Sequence, residues 1–259
     1  MKKYLKDLTV AEKLQLNDRH VLLKLTHEEV LPEILPGQFV EVRVDSSPST
    51  FLRRPISVNF VDRKANQMWL LVQTIGDGTR RLGALKAGDK VNVLFPLGNG
   101  FTAPQNKGEK ALLVGGGVGI APLLYFGAEL QRLGHGDVAF LLGARTGEDL
   151  LMLEQFRQFG TVYTTTEDGS LGEKGFVTQH SILNEQKFDN IYCCGPKPMM
   201  VSVAKYAKAH EVTCEVSLEN KMACGLGACL CCVENTKDGN VCVCKDGPVF
   251  NIDDLLWQI

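Results

Sequence analysis

Six of the nine cysteines in this chain of 259 residues crowd between Cys224 and Cys244. An odd total, spread so unevenly, makes a poor disulfide framework and a good metal site in a reducing compartment. The run Cys224-Gly-Leu-Gly-Ala-Cys229-Leu-Cys231-Cys232 contains C-x4-C-x2-C, the spacing that wraps a loop around a 2Fe-2S cluster while a fourth thiolate arrives from further along. Gly225 and Gly227 let such a loop curl and aim backbone N–H groups at the sulfurs. Cys224, Cys229 and Cys232 are therefore the first three candidate ligands, and the fourth is Cys242 or Cys244. An alternating strand would point those last two the same way, so spacing does not choose between them. Cys231 is left over and is expected as a small apolar filler under the loop. Structural zinc modules carry paired C-x2-C knuckles; a single pair is present here, which favours iron-sulfur over a zinc-stapled module.

The cysteine-rich tail, 217–259, is too short to bury a self-sufficient core, so a bound metal would supply the missing stability. The rest of the chain has two grammars. Over residues 1–102, short β-rich runs at His20–His27, Gly37–Val44, Arg54–Val61, Gln67–Ile75 and Lys90–Phe95 alternate with turn residues, and no helical pattern interrupts them. Evenly spaced short strands predict a small antiparallel barrel. Over residues 103–216 the order becomes strand then helix, repeated. Strands are expected at Ala111–Val114, Val138–Leu142, Thr161–Thr165, Asn190–Cys193 and Val212–Leu218. Helices are expected at Ile120–Leu133, Glu148–Phe159, near Phe176–Leu183 and at Pro198–His210. That alternation predicts a doubly wound parallel sheet. The fold class is thus multidomain, β plus α/β, with a small metal-stapled third domain.

Composition narrows the function classes. A formal charge of −2 argues against a nucleic-acid partner. The N-terminus, Met1-Lys2-Lys3-Tyr4-Leu5-Lys6-Asp7, places charges where a secretion signal needs an apolar run, which suggests a cytoplasmic protein. Ala111–Ala128 is uncharged and just reaches the length of a membrane span, but its glycines and Pro122 suit a tight strand-to-helix turn better.

That turn is the second chemical signal. Gly115-Gly116-Gly117-Val118-Gly119 follows a strand and opens a helix, where glycines allow close backbone approach to a pyrophosphate. The spacing does not complete G-x-G-x-x-G, and Gly143-Ala144-Arg145 stands where an acidic residue would hold a ribose, leaving NADH and NADPH both open. Cys194-Gly195-Pro196 ends the fourth strand of the sheet and opens another helix, beside the crevice where such sheets bind ligands. In the barrel, Arg53-Arg54-Pro55-Ile56-Ser57 offers guanidinium forks and a hydroxyl to a phosphate, although exposed arginine pairs are commonly just solvated. Gly76-Asp77-Gly78-Thr79 reads as a loop whose amides and hydroxyl could face a diphosphate.

Taken in order, these strings resemble the ferredoxin reductase superfamily. Ser217 to Cys229 and Cys244-Lys245-Asp246-Gly247-Pro248-Val249-Phe250 narrow the resemblance to the electron-transfer subunits of class B dihydroorotate dehydrogenases, over essentially the whole chain. The resemblance implies FAD on the barrel, held by Arg54, Pro55, Ile56 and Ser57, by Leu71, Val72 and Gln73, and by Gly78 and Thr79. It implies NAD(H) as co-substrate at Gly115, Gly116, Gly117, Gly119, Cys194, Gly195 and Pro196. It places a 2Fe-2S cluster on Cys224, Cys229, Cys232 and Cys244, the last chosen because the family's fourth ligand stands just before Asp-Gly-Pro-Val-Phe. It also implies an FMN-containing catalytic partner that oxidises dihydroorotate to orotate, in a heterotetramer with two copies of each subunit. No side chain is then needed as nucleophile or general acid. Family members often carry Tyr-Arg where this chain has Val72-Gln73, a departure that bears on FAD affinity. The rivals are a related reductase subunit of bifurcating transhydrogenase or sulfide dehydrogenase type, and a non-catalytic zinc-stapled nucleotide-binding module.

Overall fold

The computed structural model describes residues 2–45, 47 and 49–259. Contacts gather the chain into two compact units. One comprises Met1–Gly100, Asn220–Glu234 and Val241–Pro248; the other comprises Phe101–Glu219, Asn235–Asn240 and Val249–Ile259.

The first unit is built on a closed barrel of strands β1 (Tyr4–Asn17), β2 (His20–Thr26), β3 (Phe39–Val42), β4 (Arg54–Asp62), β5 (Gln67–Gln73) and β6 (Lys90–Leu97), in the order β1-β2-β5-β4-β3-β6. Every neighbouring pair is antiparallel. Closure leaves no free edge, so the backbone polar groups of all six strands find partners without a covering layer. Val10, Val40, Val58, Met68 and Val93 are fully buried. β1 escapes a pattern search for a physical reason. Of its fourteen residues only Leu8 and Val10 are buried, and register shifts at Val10/Glu12 and Gln15/Asn17 throw the alternation out of phase.

A helix also interrupts the barrel sequence, contrary to expectation: α1 (Asp77–Gly83) lies between β5 and β6. Gly76-Asp77-Gly78 has the composition of a turn, but Thr79 Oγ1 accepts from the amides of Ile75 at 3.1 Å and Gly76 at 3.0 Å, and Leu82 is buried. Those two anchors make a helical start of what reads as a loop.

The second unit carries a seven-stranded sheet. Its strands are β7 (Ala111–Gly116), β8 (Val138–Ala144), β9 (Thr161–Thr166), β10 (Glu173–Lys174), β11 (Asn190–Cys194), β12 (Thr213–Ser217) and β15 (Val249–Asn251), after the hairpin strands β13 (Val233–Thr236) and β14 (Gly239–Cys242). The order β10-β9-β8-β7-β11-β12-β15 is parallel throughout except for β15, which runs against β12. The chain leaves β7 toward β8 and β9, then returns to the other side at β11. This reversal is the topological switch point at which open α/β sheets bind ligands. The connecting helices are α2 (Ala121–Leu133), α3 (Leu153–Arg157), α4 (Ile182–Glu185) and α5 (Lys197–Ala209), and α6 (Val243–Asp246) is a single turn in the tail.

The doubly wound sheet is as expected, but the helix expected over Glu148–Phe159 is not. Only a 3-10 turn at Gly147–Asp149 and the short α3 form there, because Leu150 and Leu151 are buried in extended chain and Met152 sits at φ 59°. Among the described residues, no helix is long and apolar enough to cross a membrane. Ala111–Ala128 divides into strand, 3-10 turn and helix.

Candidate functional site

In the first unit, β4 and β5 pair from Val58 opposite Leu70, and Arg54–Ser57 and Leu71–Gln73 extend the two strands in the same direction from that point. Arg54 lies against α1: a Cβ on Gly78 would fall 2.8 Å from Arg54 Nε and 3.1 Å from Thr50 Cγ2. The basic turn, the end of β5 and the start of α1 therefore converge. All of Arg54, Pro55, Ile56 and Ser57 are half-buried, open enough to receive a ligand. Leu71 and Val72 are 2% and 0% exposed, so they can meet a ligand only through the main chain. The Thr79 hydroxyl is taken up by the Ile75 and Gly76 amides, leaving the backbone as that segment's free donor.

The two arginines are not an equivalent solvated pair. Arg53 is half-buried, and its guanidinium donates to the carbonyls of Glu41 and Asn92, both at 3.2 Å, and to Asn92 Oδ1 at 2.5 Å. It ties β4 to β3 and β6. Among the described residues, Arg54 donates only to the nearby carbonyls of Leu52 and Arg53. Arg54 is thus the arginine placed to bind an anion, and Arg53 is structural.

The cysteine segment also belongs to this unit. Gly225 (φ 67°) and Gly227 (φ 79°) hold left-handed backbone, as does Leu230 (φ 59°), and the chain curls through Cys224–Cys232. The Leu226 amide donates to Cys224 Sγ at 3.3 Å, the Gly227 amide to Cys244 Sγ at 3.1 Å and the Cys244 amide to Cys232 Sγ at 3.4 Å. Burial works against a Cys224 thiolate, but the amides of Leu226, Cys229 and Ala228, with the Cys229 side chain, outweigh it and bring the thiol down to about 6. Burial, together with neighbouring Cys232, pushes Cys244 up to about 12. The Cys229 side chain acts on Cys224, and both Cys232 and Cys224 act on Cys244, so the four thiols are electrostatic neighbours. Among the described residues no three His, Cys, Asp or Glu side chains are arranged to hold a metal ion. Four neighbouring thiols, three of them accepting from backbone amides, fit a body of two irons that needs four thiolates.

Two expectations about the spare cysteines need correction. No strand carries both Cys242 and Cys244, because β14 ends at Cys242 and α6 begins at Val243. The turn separates them: Cys244 joins the amide-bonded sulfurs, while Cys242 Sγ faces the Gly227 carbonyl at 3.7 Å. Cys231 is exposed rather than a buried filler, and it directly follows Leu230, which holds left-handed backbone.

In the second unit, β7 and β11 are paired with Gly115 opposite Cys194. Gly115 and Gly116 close β7, a 3-10 turn spans Gly117–Ile120, and α2 follows with Pro122 in its first turn. A Cβ on Gly119 would fall 2.5 Å from Gly195 Cα, and one on Gly116 would fall 3.2 Å from Pro196 Cδ. Gly115, Gly116, Gly117, Gly119, Cys194, Gly195 and Pro196 thus form one lip at the switch point.

Pattern reading did not single out Glu219, just beyond the end of β12. Its Oε1 lies 4.0 Å from Cys194 Sγ. Burial, then the Glu219 charge, raises the Cys194 thiol far above its usual range, and loss of solvent raises the Glu219 carboxyl. An acid directly following a strand, next to the turn of the neighbouring strand, was the available signal.

The comparisons agree with this geometry. Residues 219–256 match the family described as the iron-sulfur cluster binding domain of dihydroorotate dehydrogenase B, and residues 113–205 match the oxidoreductase NAD-binding domain. The dihydroorotate dehydrogenase B (NAD(+)) electron-transfer subunit of Shouchella clausii is 39% identical over 254 residues, 96% of this chain and 97% of that one. The subunit of the same name from Fusobacterium nucleatum is 35% identical over 258 residues, 97% of this chain and 98% of that one. Among solved structures, a flavin-based electron-bifurcating NADH-dependent reduced ferredoxin-NADP oxidoreductase superposes with a TM-score of 0.86 at 30% identity, covering 96% of this chain and 90% of that one. The ferredoxin reductase of a carbazole 1,9a-dioxygenase shares the fold, with a TM-score of 0.69 at 21% identity over 82% of this chain and 67% of that one.

Proposed function

The chain belongs to the family of dihydroorotate dehydrogenase B electron-transfer subunits, and from that premise we propose how its residues carry electrons between NAD(H) and a partner subunit. FAD supplies the conversion the reaction needs, since a nicotinamide gives up two electrons as hydride while a 2Fe-2S cluster takes them singly. All else is positioning. Arg54 binds the diphosphate of FAD beside the Gly78 and Thr79 amides, and Pro55–Ser57 with the main chain of Leu71–Gln73 line its ring system. Gly115, Gly116, Gly117 and Gly119 present bare backbone to the NAD(H) pyrophosphate. Cys194, Gly195, Pro196 and Glu219 border the nicotinamide end of that lip. Cys224, Cys229, Cys232 and Cys244 hold the cluster, with the Leu226, Gly227 and Cys244 amides directed at three of the sulfurs. No side chain serves as nucleophile or general acid.

The functional parsing follows: 1–102 for FAD, 103–216 for NAD(H) and 217–259 for the cluster. The partner is an FMN-containing catalytic subunit that oxidises dihydroorotate, two copies of each assembling as a heterotetramer in the cytoplasm. The observation that supports the reading is the set of backbone amides, Leu226, Gly227 and Cys244, directed at the sulfurs of Cys224, Cys244 and Cys232. Anaerobic stopped-flow mixing with NADH tests it. Flavin bleaching followed by loss of cluster absorbance is expected, and bleaching with the cluster left oxidised defeats the order of transfer.

The likeness to the bifurcating oxidoreductase favours one second reading, a subunit serving a different acceptor. Copurification with a dihydroorotate-oxidising chain that makes orotate formation depend on NAD separates the two.

A further inference from the structure

Glu41, on β3, is 0% exposed, and neither carboxylate oxygen has a hydrogen-bond partner among the described residues. Buried polar groups almost always find partners, and a buried carboxylate is the costliest kind to leave without one. The nearest cation does not supply it, because the Arg53 guanidinium donates to the main-chain carbonyl of Glu41 and to Asn92. A leucine or methionine would fill the same volume at lower cost. Glu41 therefore carries a destabilising group that packing does not require.

Its location suggests the use. Across β3 and β4, Glu41 pairs with Pro55, inside the Arg54–Ser57 segment assigned above to FAD. On its other side the carboxyl stem presses on the cluster loop, where a Cβ on Gly225 would fall 2.8 Å from Glu41 Cγ and 3.5 Å from Oε1. The charged and titratable groups that act on it are Arg53, directly before β4, Arg54 at its start and Cys224 from the loop. One residue with a buried, unpaired carboxyl is thus strand-paired with the first of the two segments between which electrons must pass and packed against the second.

We propose that Glu41 is a positioning charge for the electron path, holding down the reduction potential of the cluster, and to a lesser degree that of the flavin, by its negative field. Adding an electron beside a negative charge is disfavoured, and in a dry environment the field reaches much further than in water. Burial raises the carboxyl to about 7 against the pull of Arg53, so it carries its charge at mildly alkaline pH. The inference rests on the FAD and 2Fe-2S reading above.

The test is anaerobic spectroelectrochemical and EPR-monitored titration at pH 8.5 of the holoprotein, the Glu41→Gln variant and the apolar Glu41→Met variant. Iron, acid-labile sulfide and flavin are quantified in each preparation. Both variants are expected to keep full cofactor content and to show a cluster potential shifted upward, with a smaller upward shift for the flavin. Unshifted potentials in fully loaded variants overturn the inference while leaving the cofactor reading intact. Loss of the cluster from both variants also overturns it, in favour of a packing role for Glu41. A wild-type preparation without iron or flavin would bring down the cofactor reading, and the inference with it.

Discussion

Gly119 and Gly195 stand so close that a Cβ on the first would lie 2.5 Å from the Cα of the second, with the Cys194 carbonyl at 2.6 Å. These are main-chain neighbours, and they cannot swing aside as a flexible side chain would. A methyl group at 119 must push the β7 and β11 turns apart, at the cost of about 1–3 kcal/mol typical of overpacking. Gly119→Ala is expected to lower thermal stability modestly and weaken NADH binding at least tenfold. Visible spectra should still report full flavin and cluster content. Fluorescence titration with NADH, read beside a melting curve, checks both halves.

Arg53 and Arg54 are adjacent in sequence and are expected to fail in different ways. Arg53 bridges β3, β4 and β6, so Arg53→Ala leaves the Asn92 and Glu41 acceptors without their donor and should cost about 1–3 kcal/mol of stability. Among the described residues, Arg54 makes only local bonds to Leu52 and Arg53, so Arg54→Ala should leave the melting temperature of the flavin-free protein nearly unchanged. It should, however, release FAD on desalting. Equal behaviour of the two variants would remove the assignment of separate roles.

Much of this was legible in the sequence, and the gaps have physical causes. The closed barrel and the doubly wound sheet follow from buried alternation in β5 and from repeated strand-to-helix handovers such as β7 to α2. β1 was hidden because its exposed stretches and two register shifts erase the period. α1 was hidden because a Thr79 cap can recruit residues that read as a turn. Glu41 could not be recognised in advance, since it matters through Gly225, which long-range pairing sets beside it; Glu219 offered only its place after a strand, and its neighbour Cys194 is likewise set by long-range pairing.

The cysteines divide cleanly under substitution. Cys224→Ser, Cys229→Ser, Cys232→Ser and Cys244→Ser should each lose most iron and acid-labile sulfide. Cys231→Ser, at an exposed site, and Cys242→Ser, whose thiol faces the Gly227 carbonyl, should retain both. Because the segment has little core of its own, removing the metal with a chelator under reducing conditions should raise proteolytic cleavage within 220–248, while the α/β sheet stays protected. Cluster retention in Cys244→Ser together with loss in Cys242→Ser would reverse the choice of fourth ligand.

Stability should also depend on pH through Glu41. Its carboxyl rises from 4.5 to about 7 on folding, chiefly through burial, with Arg53 opposing. Between those two values the folded state binds more protons than the unfolded state, so stability falls as pH climbs through the window and levels off above it. At 1.36 kcal/mol per unit the loss is at most about 3.4 kcal/mol, and relaxation around the site will reduce it. Glu41→Gln removes the ionisation. Denaturant unfolding of the anaerobic holoprotein should therefore find the variant and wild type alike near pH 5, with the variant more stable by about 1–3 kcal/mol at pH 8.5. A variant less stable than wild type at the higher pH would mean that the carboxylate has a partner in the assembled protein, and that its burial is compensated.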